Sequence, residues 1–527
     1  MDQKKIIKST GILTFATSLS RIFGLVRESV FAYFLGTSPV AAAFIIAFKI
    51  PNLLRTCFAE GALSASFIPT FTDYLTTSTQ KEISKMVNAV LNALIIFLIG
   101  ITLLGIFFSP LVVRLITLNN PPDSLSLVIN LTRLMFPYIF FVSIAALFMG
   151  VLNSYHHFFM PALGPLVLNV MIVFSFYFIC PFFNQDWNHR IYGVGIGVLL
   201  GGLGQILIQF PALKKIKIKY NFCFNFSHPA LKKISHLMIP SIIGLGVTQI
   251  NFFVDTMLAC KLGAIAITGL NYGNRIIQFP LGLIGVSIAN VNFPVMAQYA
   301  SSGKIEKLKQ SLFDSLNLVF FISLPITFGL MILSKPIIRL IFERGAFDTN
   351  STMASVQALF FYSIGLFAYM AVKNLVTVFY SLKDTKTPLK IGIIALVSNI
   401  ILNLILMVPL KHGGLALATA FSSFINMIGL FFFLRKKIGN LGIKKLLKSF
   451  FKFLFLSLIM GIICFIISFQ VEHLFKEKNL INYFLKVAIP LIMSIFVYII
   501  LCFIFKVKEI KMITSFLPIK NRFINND

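Results

Sequence analysis

Apolar residues in this chain run in long blocks separated by short polar or basic interruptions. A membrane-spanning helix needs roughly 20 mostly apolar residues, and fourteen blocks qualify. They cover about 10–36, 40–70, 87–114, 126–152, 160–183, 191–213, 237–261, 265–297, 312–334, 352–380, 389–409, 414–434, 449–470 and 482–505. The pattern predicts an all-α polytopic membrane protein. The first block is not a cleavable signal peptide, because Arg21 and Arg27 interrupt it and no small-residue cleavage site follows.

The polar positions inside those blocks carry most of the information. Between Leu13 and Tyr74 the apolar pattern is broken by Arg21, Arg27, Glu28, Lys49, Arg55 and Glu60. A charge near the bilayer centre costs about 2.5 to 3.5 kcal/mol on insertion scales, so such residues face a bundle interior or a water-filled cavity. Arg27 has two readings: it lines a cavity, or it pairs with Glu28 or Glu60 to hold helices together. Pro51, between Lys49 and Arg55, lacks a backbone donor and predicts a kink beside Asn52. Small residues from Gly61 to Ser66 then allow close helix approach.

Composition fits this reading. Hydrophobic residues are 57% of 527 positions, and mean hydropathy is +0.90. The net charge of +29 raises nucleic acid as a partner, but the placement of the bases excludes it. With the N-terminus inside, the inner segments hold 28 Lys and Arg, the outer segments 9, and the spans the other 9 of 46. That is the positive-inside bias, with both termini in the cytoplasm. Six cysteines stand singly, without metal-ligand spacing, so no structural metal site is expected. His156 and His157, adjacent in a short inner loop, read as solvated.

The polar stretch at 214–236 divides the chain into halves 1–213 and 237–434, with 435–527 appended as two helices and a tail. Pro69, Tyr74 and Tyr155 recur as Pro294, Tyr299 and Tyr380, each 225 residues later. Two pseudo-symmetric six-helix lobes around a central cationic cavity follow, as in transporters built from internal repeats. The second half contributes Arg275, followed by Pro280, and the acid Asp255. Four of eleven arginines lie at membrane depth against three deep acids, which favours an anionic ligand that the guanidinium fork can grip. Asn399 and Asn403, one turn apart, and Thr419 either join Asp255 as oxygen ligands for a cation or hydrogen-bond between helices.

The motifs SRIFGLVRE, AFKIPNLLRTCFAEGALSASFIPTFTDY, NYGNRIIQFP and FYSLKDTKTP resemble those of the MurJ (MviN) lipid II flippases, of the multidrug/oligosaccharidyl-lipid/polysaccharide exporter superfamily. The resemblance runs over nearly the whole chain. It implies export of lipid II, the undecaprenyl-diphosphate-linked peptidoglycan precursor, from the inner to the outer leaflet of the bacterial cytoplasmic membrane. By motif position it implies a substrate cavity of Arg21, Arg27, Lys49, Asn52, Arg55 and Arg275, gating acids at Glu28 and Glu60, and a cation site at Asp255, Asn399, Asn403 and Thr419. It implies no cofactor, coupling to the membrane potential, a proton or a monovalent cation, and a monomer working among membrane lipids and cell-wall synthesis proteins. Ala42 and Gln278 stand where relatives carry acids, so ion pairing at the gate is expected to differ here.

Two other readings stand against a flippase. An exporter of drugs or of another polyprenyl-linked glycan shares the fold, but a drug exporter calls for net acid in the cavity. A polyprenyl-dependent membrane glycosyltransferase calls for catalytic acids in sizeable outer loops, which this chain lacks. The orientation is testable by labelling. In a background without the six native cysteines, a cysteine at Ser227 should be shielded from an impermeant thiol reagent in intact spheroplasts. Labelling there would invert the topology.

Overall fold

A computed structural model describes residues 3–216, 228–477 and 479–510 of the chain; the side chains of residues 3–17, 59, 60, 240, 243–245, 247 and 248 lie outside the described set. Much of the 214–236 linker therefore also lies outside it. Every one of the fourteen expected blocks is helical. In chain order the helices are α1 (Gln3–Leu35), α2 (Pro39–Thr77), α3 (Gln80–Thr117), α4 (Leu125–Ser154), α5 (Phe159–Phe182) and α6 (Trp187–Lys215). They continue as α7 (Pro229–Leu262), α8 (Ala264–Ser301), α9 (Ile305–Ile332), α10 (Thr349–Ile364 bent by 46° into Leu366–Ser381), α11 (Lys386–Leu410), α12 (His412–Ile438), α13 (Ile443–Leu474) and α14 (Leu480–Ile504).

Among the described residues, eleven helices are long and apolar enough to cross a membrane, or twelve with the bent α10 counted as one span. The two left over, α1 and α7, are long enough, at 33 and 34 residues. Both carry several charges, including Arg21, Arg27 and Glu28 in α1 and Asp255 in α7. Helices overrun the apolar blocks because their ends are capped in polar surroundings. Thr79, for example, starts α3 with a capping box, its hydroxyl accepting from the Glu82 N–H while the Glu82 carboxylate accepts from the Thr79 N–H.

The chain packs as two compact units, the first comprising Met1–Thr268 with Arg344–Ser351, the second Gly269–Glu343 with Thr352–Asp527. At the centre of the first lies α2, whose Val40 to Ala47 are all buried, as expected of a helix enclosed on every side. Aromatic rings join α1, α2 and α5: Phe31 packs on Phe44 at 5.3 Å between centroids and Phe34 stacks on Phe176 at 5.2 Å. The second unit is pinned by Phe320, Phe367 and Phe450, and by Tyr498 of α14, which donates to the Phe321 carbonyl at 2.9 Å. Helices α13 and α14 otherwise expose large apolar side chains such as Phe451, Phe465, Ile492 and Phe496, the surface expected against lipid.

Proline does not break α2. The chain stays α-helical through Pro51 to Leu54 and then widens into a π-helix over Arg55–Leu63. A second π segment, Leu281–Gly285, directly follows Pro280 in α8. Displaced by 225 residues, the first overlaps the second, so the repeat seen in Pro69 and Pro294 extends to the backbone. Both segments contain glycine, and π turns of this kind concentrate at functional sites.

Segment 344–351 belongs to the first unit although its chain neighbours do not. It is fastened to the α1–α2 turn. The Ala346 N–H donates to the Tyr33 carbonyl at 2.8 Å, and Thr37 and Ser351 share a hydrogen bond of 2.7 Å. Ser351 donates to Asp348 through its N–H at 2.8 Å and its hydroxyl at 2.7 Å, and these bonds hold the Asp348 carboxyl below its usual range. Gly36 makes the approach feasible: its φ is +54°, and a Cβ there would lie 2.3 Å from the Ala346 oxygen. Gly36→Ala should therefore destabilise the protein by about 1–3 kcal/mol. Gly100→Ala, with open space around it, should not. Thermal melting of the purified variants checks this, and equal midpoints would refute the fit.

Candidate functional site

Arg21, Arg27, Glu28, Lys49 and Arg55 are half-buried or buried, so each needs a partner. α1 runs unbroken through Gly24. Near its middle, the Ser20 carbonyl accepts from the Asn169 amide of α5 at 3.3 Å, beside the half-buried Arg21. Arg27 forms an ion pair with Glu28, their side chains 16% and 9% exposed. Of the two partners the sequence left open for Arg27, Glu28 is the one in contact; the Glu60 side chain lies outside the described residues. Ala42 is fully buried.

On α2 the Lys49 ammonium donates to the Thr256 hydroxyl of α7 at 2.6 Å, and Thr256 donates onward to the Phe252 carbonyl at 2.7 Å. Asp255 is close enough to attract Lys49 electrostatically. Thr256 is a site residue the sequence did not single out; its one visible signal is its place beside Asp255. Six residues beyond Lys49, Arg55 donates through Nε to the Asn52 Oδ1 at 3.0 Å. Thr56 donates to the Asn52 carbonyl, also at 3.0 Å. Asn52 thus orients the guanidinium at the point where the helix widens.

Arg21, Arg27, Glu28, Lys49, Asn52, Arg55 and Asp255 all belong to the first unit, where Arg27 meets Glu28, Arg55 meets Asn52 and Lys49 meets Thr256. Arg275 is half-buried in the second unit, near the buried Tyr272 and Ile276, with Gln278 exposed. Of the four residues read as a cation site, Asp255 belongs to the first unit and the other three to the second. Asn403 donates to Asn399 at 2.8 Å and Asn399 faces the Thr419 hydroxyl at 3.5 Å. These contacts match the alternative reading, polar links within and between α11 and α12. Among the described residues, no group of three or more His, Cys, Asp or Glu is placed to hold a metal. Arg133, exposed on α4, donates to Ser109 of α3 at 3.1 Å.

This constellation sits in a chain whose residues 31–508 match the family described as "Lipid II flippase MurJ". The chain belongs to the MurJ family of lipid II flippases. The family consists of transporters of the cytoplasmic membrane, not enzymes. Among its relatives, the "Probable lipid II flippase MurJ" of Buchnera aphidicola subsp. Acyrthosiphon pisum is 33% identical over 484 residues, covering 92% of this chain and 93% of that one. The "Lipid II flippase MurJ" of Burkholderia cenocepacia is 32% identical, covering 80% and 82%. A solved structure described as "Lipid II flippase MurJ, inward closed conformation" superposes with a TM-score of 0.78 at 29% identity, covering 95% of this chain and 99% of that one. A multidrug resistance MATE family transporter of the MOP superfamily superposes at 0.68 with 15% identity, covering 81% and 95%. That second likeness is one of fold.

The Arg27–Glu28 pair yields a test. Removing one member of a buried ion pair costs about 3–5 kcal/mol because the other charge is stranded. Glu28→Gln should therefore lower stability markedly, and Arg27→Gln/Glu28→Gln should recover much of the loss. Melting midpoints of the singles and the double form the cycle. A double variant whose loss equals the sum of the two single losses would show that the pair is not coupled.

Proposed function

We propose that this protein carries lipid II from the inner to the outer leaflet of the cytoplasmic membrane by alternating access, and that Arg21, Arg27, Lys49, Asn52 and Arg55 receive its diphosphate. The observation that carries this reading is the charge balance of the first unit. On α1, α2 and α7 at membrane depth, Arg21, Arg27, Lys49 and Arg55 stand against Glu28, Glu60 and Asp255. The balance is positive, which suits an anionic diphosphate. Glu28 holds Arg27 and Thr256 holds Lys49, which keeps the cationic surface ordered before substrate arrives. Preorganised donors of this kind spare the entropy of ordering them at binding.

Arg275 enters this proposal from its motif NYGNRIIQFP. Residues 1–213 and 237–434 act as the two transport halves, and α13 and α14 attend the lipid tail. In this reading both termini are cytoplasmic, Glu28 and Glu60 serve the gate, and the protein works as a monomer. Asp255 acts as the counter-charge of Lys49, so protonation or a cation at Asp255 alters how firmly Lys49 is held.

Arginine's fork matches phosphate oxygens in a way the lysine ammonium does not. Arg21→Ala and Arg55→Ala should abolish rescue of a walled bacterium depleted of its own flippase, while Arg→Lys at either position should rescue in part. Purified protein should bind lipid II more tightly than undecaprenol, by at least the tenfold that one charge-assisted contact of about 1.4 kcal/mol provides. Equal affinity for the two lipids, or unchanged lipid II affinity in both alanine variants, would overturn the assignment.

A further inference from the structure

The turn between α4 and α5 and the last turn of α6 line a half-open pocket of about 270 Å³ in the first unit, remote in sequence from the charged stretch of α1 and α2, and its His156, His157 and Lys215 are exposed. Its lining includes His156, His157 and Lys215, together with Phe158, Phe159 and Met160. Among the described residues, every ionisable group on that wall is a base and no carboxylate lines it.

The repeat shows what is missing. In the second unit the equivalent turn, between α10 and α11, has the same backbone: His157 N–H to the Leu152 carbonyl and Asp384 N–H to the Phe379 carbonyl are both 2.9 Å. His156 and Lys383 take the same left-handed φ, 62° and 57°. Each of these pairs is 227 residues apart. There, however, the turn closes on its own anion. Asp384 accepts from the Thr387 N–H at 3.0 Å and its hydroxyl at 2.8 Å, and pairs with Lys437 from the end of α12. Burial raises the Asp384 carboxyl, but the bonds from Lys437 and Thr387 outweigh it and bring it to about 2. In the first unit His157 occupies the place of Asp384, and the end of α6 brings Lys215. The bases are present and the internal anion is not.

We propose that this cavity binds the phosphate of an anionic phospholipid headgroup, with Lys215 and the two imidazoles as donors and Phe158, Phe159 and Met160 against the glycerol and first acyl carbons. The source is lipid because the apolar half of the wall continues onto exposed Phe159 and Phe210, 44% and 42% accessible, at the ends of membrane helices. The volume falls just below the roughly 300–1,000 Å³ of drug-sized pockets, which suits a headgroup rather than a whole lipid. Basic pockets between helix ends on the cytoplasmic side are a recurrent form of headgroup recognition.

Native mass spectrometry of the full chain, released from micelles holding equal phosphatidylglycerol and phosphatidylcholine, tests it. One phosphatidylglycerol should be retained at least tenfold over phosphatidylcholine. That excess should vanish in Lys215→Glu and in His156→Ala/His157→Ala, and persist in Lys215→Arg. Lys214→Glu makes the same charge change at an exposed residue off the cavity wall, and should leave it intact. Equal retention of the two lipids, unchanged retention in Lys215→Glu, or equal loss in Lys214→Glu would overturn the proposal. So would displacement by inorganic phosphate as effective as by short-chain phosphatidylglycerol, since the ligand would then be the free ion.

Discussion

A charge held at membrane depth must be matched there, and the first unit is built around that constraint. Glu28 answers Arg27 from the next position in the chain. Asn52 answers Arg55 from three residues before. Lys49 has no such local partner in its contacts and reaches Thr256 of α7 instead. That reach binds a helix from beyond the central linker to the N-terminal helices, and it is consistent with α7 packing in the first unit although it follows residues 214–236 in sequence. Electrostatic demand, more than chain order, decides which helices keep company.

The same economy appears in the repeat. Two halves with little visible sequence likeness share π segments after proline and left-handed turns at matching places. What differs is the charge each copy displays. The turn in the second unit neutralises its own cation with Asp384, whereas its counterpart presents histidines to a cavity. The backbone of the turn repeats, and each copy carries its own electrostatics.

Although α1 and α7, which carry several charges, stand out least by apolarity alone, most helices were legible in the sequence because burial in lipid writes them as long apolar blocks. Membership of the two units was not, since hydropathy records exposure to lipid and says nothing of which helix a face meets. The cations of α1 and α2 were legible for the opposite reason: a charge in an apolar block stands out. Thr256 was not, because a threonine in a membrane helix is commonplace and only the position of Lys49 gives it meaning. Proline predicted trouble in α2 but not its form, which depends on how the chain re-pairs its carbonyls after Pro51. The histidine cavity lay hidden because its walls come from residues about fifty positions apart.

The π segment in α2 also sets a limit on how mutational data for this helix can be read. An α-helix turns about 100° per residue, and a stretch bonded i to i+5 falls out of step with that count. Residues before Arg55 and after Leu63 therefore belong to two different angular series. A substitution scan fitted with one period from Pro39 to Thr77 would assign Ser66 and Thr70 to the wrong face. Fitted as two stretches with a phase break between them, it would place Lys49 and Asn52 by one clock and the buried Ser66, Phe67 and Thr70 by another.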